Sequence, residues 1–430
     1  MTGRRRMSTT QPAPPRRAKA ILLAAGAVTA CASVLAACGV LPGATGGSRE
    51  TVTVMTMAPE KTEATNKPGM PAMAKAYARW VNANGGLGGR QLKVITCNDH
   101  NDTVGAGECA QRAVDEQVVA VVGSYSQYGR SFLAPLEGAG IPYIGGYGVT
   151  DEEFTSPLSY PVNGGQPALM AGLGRQLAKT CSRVSLVRPD TIAGDELPDL
   201  FNAGLAAGGR GESLDIRAVE DATDYTPQAR RALERASADP ATKGCVTAAL
   251  GDRTDTFFDS FRRTRDEYPA VRIASVLGSV DQSLVDRTGG RSGVYEGASV
   301  TGWYPVSSDR RWDTMRKVIN EYAFGDNRID PTDAGVQTTW IAYTVLKKAV
   351  ESLGDGEVTA QSLRDELDDG LKVTTGGLTP KLSWRFEDMI AARDFPRLVN
   401  AYVTFQRVRD GRVVSEQRGF VDMRKTLENE

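Results

Sequence analysis

Few side chains in this 430-residue sequence could do bond-making chemistry. The one histidine, His100, lies in the polar run Cys97-Asn98-Asp99-His100-Asn101-Asp102. Hydrolysis by a serine or cysteine needs a nucleophile beside a positioned base, and a lone histidine in a solvated loop is a poor start for one. The acids around it depart from the spacing of an EF-hand loop, and no cysteine or histidine grouping has zinc-ligand spacing. The pairs Gly85-Gly86 and Gly88-Gly89 follow a helical stretch rather than a strand, so they read as helix termination and not as a dinucleotide fingerprint. Neither an enzyme, a metal nor a cofactor is expected. What remains is recognition chemistry. Ser124, Ser126 and the amides of Tyr125, Gln127 and Tyr128 stand between a β-branched run and a helical stretch. They open a helix whose first N–H groups and partial positive charge suit a carboxylate.

The elements that position this turn are legible on both sides of it. Residues 92–97 and 118–122 are β-branched runs without polar alternation, the pattern of central parallel strands buried on both faces. Residues 130–138 have helical spacing and lead to another strand, 141–144, completing a βαβ crossover. The alternation continues: helices at 168–179, 196–208, 228–236, 254–268 and 334–353, and strands at 183–187, 214–219, 245–250 and 271–276. A hairpin is expected over 401–414 around Asp410-Gly411. Strands alternating with helices over this length predict an α/β architecture of two lobes, each a mostly parallel sheet flanked by helices. In such sheets ligands sit beyond the carboxyl ends of the strands, so two facing lobes enclose one cleft.

The N-terminus points outside the cytoplasm. Six basic residues and no acids precede an apolar run, residues 20–37, which ends in Leu35-Ala36-Ala37-Cys38. This resembles a lipobox, implying cleavage before Cys38 and lipidation of its thiol; the alternative is an uncleaved signal anchor. The full chain carries −1, and removing six positive charges leaves about −7, which gives no electrostatic reason to seek nucleic acid. If Cys31 leaves with the signal, then Cys97, Cys109, Cys181 and Cys245 remain, an even number that fits disulfides in an oxidising compartment. Four cysteines permit three pairings. Cys97 with Cys109 is expected, because a strand end and the following helix approach each other, which leaves Cys181 with Cys245 ahead of two neighbouring strands.

Residues 80–148 resemble the type I periplasmic-type solute-binding proteins, the branched-chain amino-acid-binding group of ABC importers. Val81-Asn82-Ala83-Asn84-Gly85-Gly86-Leu87-Gly88-Gly89-Arg90 stands where that family carries INAAGGINGR, Gly123-Ser124-Tyr125-Ser126 where it carries GP.SS, and Gly140-Ile141-Pro142 opens its GVP.IS segment. Asp224-Tyr225-Thr226-Pro227-Gln228 resembles its D.TPQV, and Gly377-Leu378-Thr379-Pro380 its late G.TGPV.F. The resemblance implies a signal peptide at 1–37, a lipidated spacer at 38–49, lobe one at 50–162, lobe two at 163–299, a return to lobe one over 300–395, and C-terminal strands and tail at 396–430. Hinges are expected near 160–163, 300–304 and 391–395. It also implies capture of a small carboxylate-bearing solute by hinge closure, with the closed form read by a membrane permease. The ligand-binding set carried over is Ser124, Tyr125, Ser126, Gln127, Tyr147, Gly148, Val149, Tyr225, Asp252 and Ser279. Gly145-Gly146 replaces the family's usual SP. The acid that meets an ammonium group is displaced, with Asp252 or Asp281 as substitutes, and Arg253 raises the prospect of a second anionic group on the ligand. Trp303 and Tyr304 read as hinge braces, and Trp340 and Tyr343 as core. A sensing or structural lipoprotein of the same fold is the alternative function.

Overall fold

The computed structural model describes residues 51–429 apart from Pro240 and Leu277. The leader and Cys38 lie outside the described residues. Among those described, no helix is long and apolar enough to cross a membrane.

Among the described residues, thirteen strands form two sheets. The first contains β1 (Val52–Met57), β2 (Leu92–Cys97), β3 (Ala120–Val122), β4 (Tyr143–Ile144) and β5 (Ser159–Tyr160), parallel throughout in the order β2-β1-β3-β4-β5. The second contains β6 (Arg183–Pro189), β7 (Leu214–Ala218), β8 (Gly244–Ala248), β9 (Arg272–Val276), β10 (Ser299–Gly302), β11 (Tyr402–Arg409), β12 (Arg412–Ser415) and β13 (Val421–Asp422). Its path is β12-β11-β10-β9-β8-β6-β7, with β13 on β11. It is parallel from β7 to β10 and antiparallel where β11 joins. The two-lobed α/β architecture read from the sequence is therefore present.

The pattern at 92–97 predicts a central strand, and the structure corrects this: β2 is an edge strand, and the interior position belongs to β1, which the sequence reading does not assign. The reason is visible in β2, where Lys93 is exposed and Val94, Thr96 and Cys97 are only partly covered. A charged side chain on a strand flank is a common protection for an unpaired edge.

Helix Gly69–Ala83 ends as expected at a glycine cluster: Gly85 and Gly86 have φ of 94° and 76°, and a side chain on Gly86 would collide with the Arg90 carbonyl at 2.2 Å. Helix Ala334–Ser352 packs against it and against β3 and β4, with Trp340 and Tyr343 buried between them. The hairpin turn at Asp410-Gly411 has positive φ at both residues, 54° and 72°, as a tight two-residue connection requires.

Both disulfides follow the expected pairing. Cys97–Cys109 ties the end of β2 to helix Thr103–Asp115, and Cys181–Cys245 joins the approach to β6 to the start of β8, which are neighbours in the second sheet.

Three segments cross between the lobes, at residues 161–164, 303–305 and 399–401. They are bonded side by side: Asn163 Nδ2 donates to Tyr304 Oη (3.0 Å), Asn400 Nδ2 to the Val162 carbonyl (3.0 Å), and Gln406 Nε2 to the Tyr304 carbonyl (2.9 Å). Trp303 Nε1 donates to the Gly165 carbonyl (2.8 Å) and Trp384 Nε1 to the Pro161 carbonyl (2.9 Å). The third crossing falls later than 391–395 because that stretch is still fastened to lobe one. Ile390 N–H donates to the Leu398 carbonyl (2.8 Å) and Arg397 N–H to the Phe154 carbonyl (2.8 Å).

Candidate functional site

The loops after the carboxyl ends of β1, β3, β4, β7, β8 and β9 converge where the lobes face each other, as open parallel sheets dictate. Between them lies a cavity of about 80 Å³, space for a solute of a few heavy atoms when a water takes roughly 10–15 Å³ on this measure. Lobe one contributes Thr65, Lys67, Tyr125, Gln127, Tyr147 and Val149; lobe two contributes Gln166, Glu220, Gly251 and Ser279; Trp303 enters from a crossing.

The turn after β3 is held rigidly. Gly123 sits at φ 59° with helix 334–352 so close that an added side chain would lie 2.9 Å from Thr339 Cα. Ser124 Oγ accepts from Met57 N–H (3.0 Å), and the Ser124 carbonyl accepts from Tyr147 N–H (3.0 Å). Ser126 Oγ accepts from Tyr128 N–H (3.3 Å). Both hydroxyls are buried and spent on shaping the turn. Of the four residues read as ligand contacts in this turn, Tyr125 and Gln127 reach the cavity, whereas Ser124 and Ser126 do not line it. The rings of Tyr125, Tyr147 and Trp303 form an edge-to-face series with centroids 5.1 Å apart at each step, an arrangement that favours π quadrupoles and gives the cavity an aromatic wall.

Beside this wall the lobes are bonded to each other. Glu220 Oε1 accepts from Gln127 Nε2 (2.8 Å) and Thr65 Oγ1 (3.0 Å). Asp252 Oδ2 accepts from Asn66 N–H (2.9 Å) and Oδ1 from Lys67 Nζ (3.0 Å). The Arg253 guanidinium donates to the Glu63 carbonyl, so it fastens the loop of lobe one rather than facing a second anion. Lys67 is 6% exposed and lies 3.8 Å from Asp333 as well. Burial opposes its charge, yet Asp252 and Asp333 outweigh that cost and hold the ammonium well above its ordinary pKa. Lys67 is therefore a fixed positive charge in the cleft.

Other residues in the carried-over set fall elsewhere. Tyr225 is a correction: its hydroxyl donates to the Val219 carbonyl (2.7 Å) and its ring packs beside Phe257 in the core of lobe two, because the Asp224-Thr226 turn directs it inward. Asp252 lies behind the cavity wall on Lys67, and Gly148 borders a smaller neighbouring space with its N–H donated to Glu153 (2.9 Å). Val149 and Ser279 do line the cavity. Asp281 caps helix Gln282–Arg287 through Leu284 N–H (2.8 Å), and burial pushes its carboxyl up to about 6. His100 is exposed at φ 53°. Trp303, read as a hinge brace, does that and also lines the cavity. Thr65, Lys67 and Glu220 are absent from the set read from the sequence. A signal for the first two exists: they follow β1, and a strand assigned there places the next loop at the cleft.

Gly278, in lobe two, meets the Tyr147 hydroxyl of lobe one: a Cβ at Gly278 would lie 2.0 Å from Oη, and its φ is 92°. Gly278→Ala is therefore expected to hold the lobes apart and weaken solute binding by at least tenfold, about 1.4 kcal/mol, and the strain of a side chain at this φ is expected to lower the melting temperature of the ligand-free protein as well. Equal affinity of the two proteins in isothermal titration would show that the lobes do not close on this contact.

A family model described as periplasmic binding protein matches residues 62–396. No curated protein sequence matches the chain. Solved structures do: a substrate-binding periplasmic protein from Ralstonia solanacearum (16% identity, TM-score 0.68, 85% of this chain and 100% of that one); a solute-binding protein of an ABC transporter from Rhodopseudomonas palustris BisB5 in complex with 3,4-dihydroxybenzoic acid (16%, 0.69, 88% and 99%); and a branched-chain amino acid ABC transporter protein from Thermus thermophilus with bound valine (13%, 0.69, 87% and 97%). With the two mostly parallel sheets, the three crossings and the shared cleft in place, the chain belongs to the periplasmic binding protein family of solute receptors.

Proposed function

We propose that this protein captures a small zwitterionic solute, an amino acid or a related carboxylate-bearing compound, and presents it in the closed form to the permease of an ABC importer. One observation carries the choice of solute. Among the described residues lining the cavity, Lys67 is the one cation and Glu220 the one acid. They offer one charged partner to a carboxylate and one to an amine, and the aromatic wall of Tyr125, Tyr147 and Trp303 covers an apolar body between them. Lipidation at Cys38 then holds the receptor on the extracytoplasmic face of the membrane, the arrangement supported by the residues around that cysteine.

A thermal-shift screen of the purified protein tests the solute class. A ligand that binds only the folded state adds about 2.7 kcal/mol at one hundred times its dissociation constant. Amino acids are expected to raise the melting temperature, and their amides and decarboxylated amines to raise it less. A larger shift with hydroxybenzoates or fatty acids, and none with amino acids, would overturn the zwitterion reading. Release of the protein from membranes by Cys38→Ala checks the anchor separately.

A further inference from the structure

Gly145-Gly146 has no role in the solute reading, and the structure shows what occupies the space. A Cβ on Gly146 would lie 2.1 Å from Glu153 Oε2 and 2.2 Å from the Tyr143 ring. Glu153 is 2% exposed and turns its carboxylate into the loop that follows β4. Its Oε2 accepts from Gly148 N–H (2.9 Å), and its Oε1 from Val149 N–H (2.9 Å) and Thr150 N–H (3.2 Å). Those three successive amides form the kind of concave donor set that binds anions elsewhere.

We propose that Glu153 is the positioning residue of the solute-facing turn: its carboxylate occupies the amides of residues 148–150 from behind, which fixes Tyr147 and Val149 in the cavity wall and withholds those amides from a solute carboxylate. The inference concerns the same cleft as the proposed solute site, but the clamp exists without a ligand and is tested without one. The turn also touches lobe two, since Gln166 N–H donates to the Gly148 carbonyl (2.8 Å) at the start of helix Gly165–Ala178. Glu153 therefore acts at the junction of the lobes as well as in the wall.

No cation among the described residues pairs with Glu153. The charged and titratable groups on the elements around it are accounted for otherwise. Arg130 pairs with Glu152 (2.9 Å), Arg397 Nε donates to the Ser159 carbonyl (3.0 Å), Asp99 and Asp102 belong to the turn after β2 and accept from Asn101 and Gly105 N–H, and Asp151, bonded to Glu196, and Asp394 are exposed. The Tyr143 phenol faces the carboxylate and is itself held protonated by burial. Burial pushes the Glu153 carboxyl up to about 7 from its usual 4.5, against the pull of the three amides and Tyr143. Two opposite consequences follow. As pH falls through 7 the carboxyl takes up a proton, the charge-assisted bonds weaken and the turn loosens. The stability this group contributes to the whole fold behaves the other way: it is fully present below about 4.5 and is lost as pH rises through 7, because charging a buried carboxyl costs the folded state.

Hydrogen exchange of the purified, ligand-free protein distinguishes a clamp from a merely structural group. At pH 8 the amides of residues 148–150 are expected to exchange about tenfold faster in Glu153→Gln than in the wild type. Corrected for intrinsic rates, wild-type protection should fall toward that of the variant between pH 8 and pH 6, while the wild-type denaturation midpoint rises over the same interval. Gly146→Ala, which keeps the carboxyl but drives a methyl group into its place, is expected to expose the same amides and serves if the glutamine variant does not fold. Unchanged protection in both variants, or local protection and global stability moving together with pH, would overturn the assignment.

Discussion

Replacing Cys181 and Cys245 together by alanine is expected to lower the unfolding free energy by about 4 kcal/mol. The bridge closes a loop with a sequence separation of 64, and cross-linking restricts the unfolded chain more as the closed loop lengthens. Cys97–Cys109, with a separation of 12, is expected to contribute about 3 kcal/mol by the same relation. Native geometry accommodates the long bridge without distortion of the sheet, because β6 and β8 are paired in register and Val184 lies opposite Cys245. Denaturation followed by tryptophan fluorescence should show the midpoint falling. Reduced wild-type protein and reduced double variant, both then without either bridge, should match, which separates the lost bond from any packing defect at two positions that are each 1% exposed. A loss below about 1 kcal/mol in both samples would mean that the bridge spans a region already ordered in the unfolded chain.

Lys67→Met is expected to disfavour the closed form by on the order of 2 kcal/mol, or about thirtyfold in the ratio of closed to open molecules. The substitution keeps most of the side-chain volume and removes the charge between Asp252 at 3.0 Å and Asp333 at 3.8 Å. Breaking a fully buried pair costs roughly 3–5 kcal/mol, and the figure here is smaller because the two acid side chains retain 35% and 24% exposure. Lys67 and Asp333 belong to lobe one and Asp252 to lobe two, so the repulsion left behind acts across the cleft. A distance between spin labels on the two lobes should lengthen in the variant. Lowering the pH should shorten it again, since burial already holds the Asp333 carboxyl above the usual range and its protonation relieves the repulsion. An unchanged distance at neutral pH would show that closure does not depend on this triad.

Much of the fold is written in local patterns. The glycines after helix 69–83, the β-branched run at β3 and the Asp410-Gly411 turn each express a constraint that acts over a few residues, and each is read from its immediate neighbours. β1 escapes such a reading because VTVMTM sits at the start of the domain, next to a spacer with no periodicity of its own. Its loop carries Thr65 and Lys67, so losing the strand also loses the cleft's cation.

The sequence by itself determined the two-lobed α/β class, the family, the disulfide pairing and the importance of the turns after β3 and β4. Only the tertiary structure decided which side chains in those turns face the cavity and which are spent on holding it. Ser124 and Ser126 have the right chemistry but are spent on the N–H groups of Met57 at the end of β1 and of Tyr128 in the turn, and Tyr225 has the right ring but packs inward. The pairs that make the site join residues far apart in the chain: Lys67 with Asp252 across 185 positions, and Gln127 with Glu220 across 93. Such contacts depend on how two separately folded sheets are turned toward each other, and that orientation is set by the three bonded crossings rather than by any local run of residues.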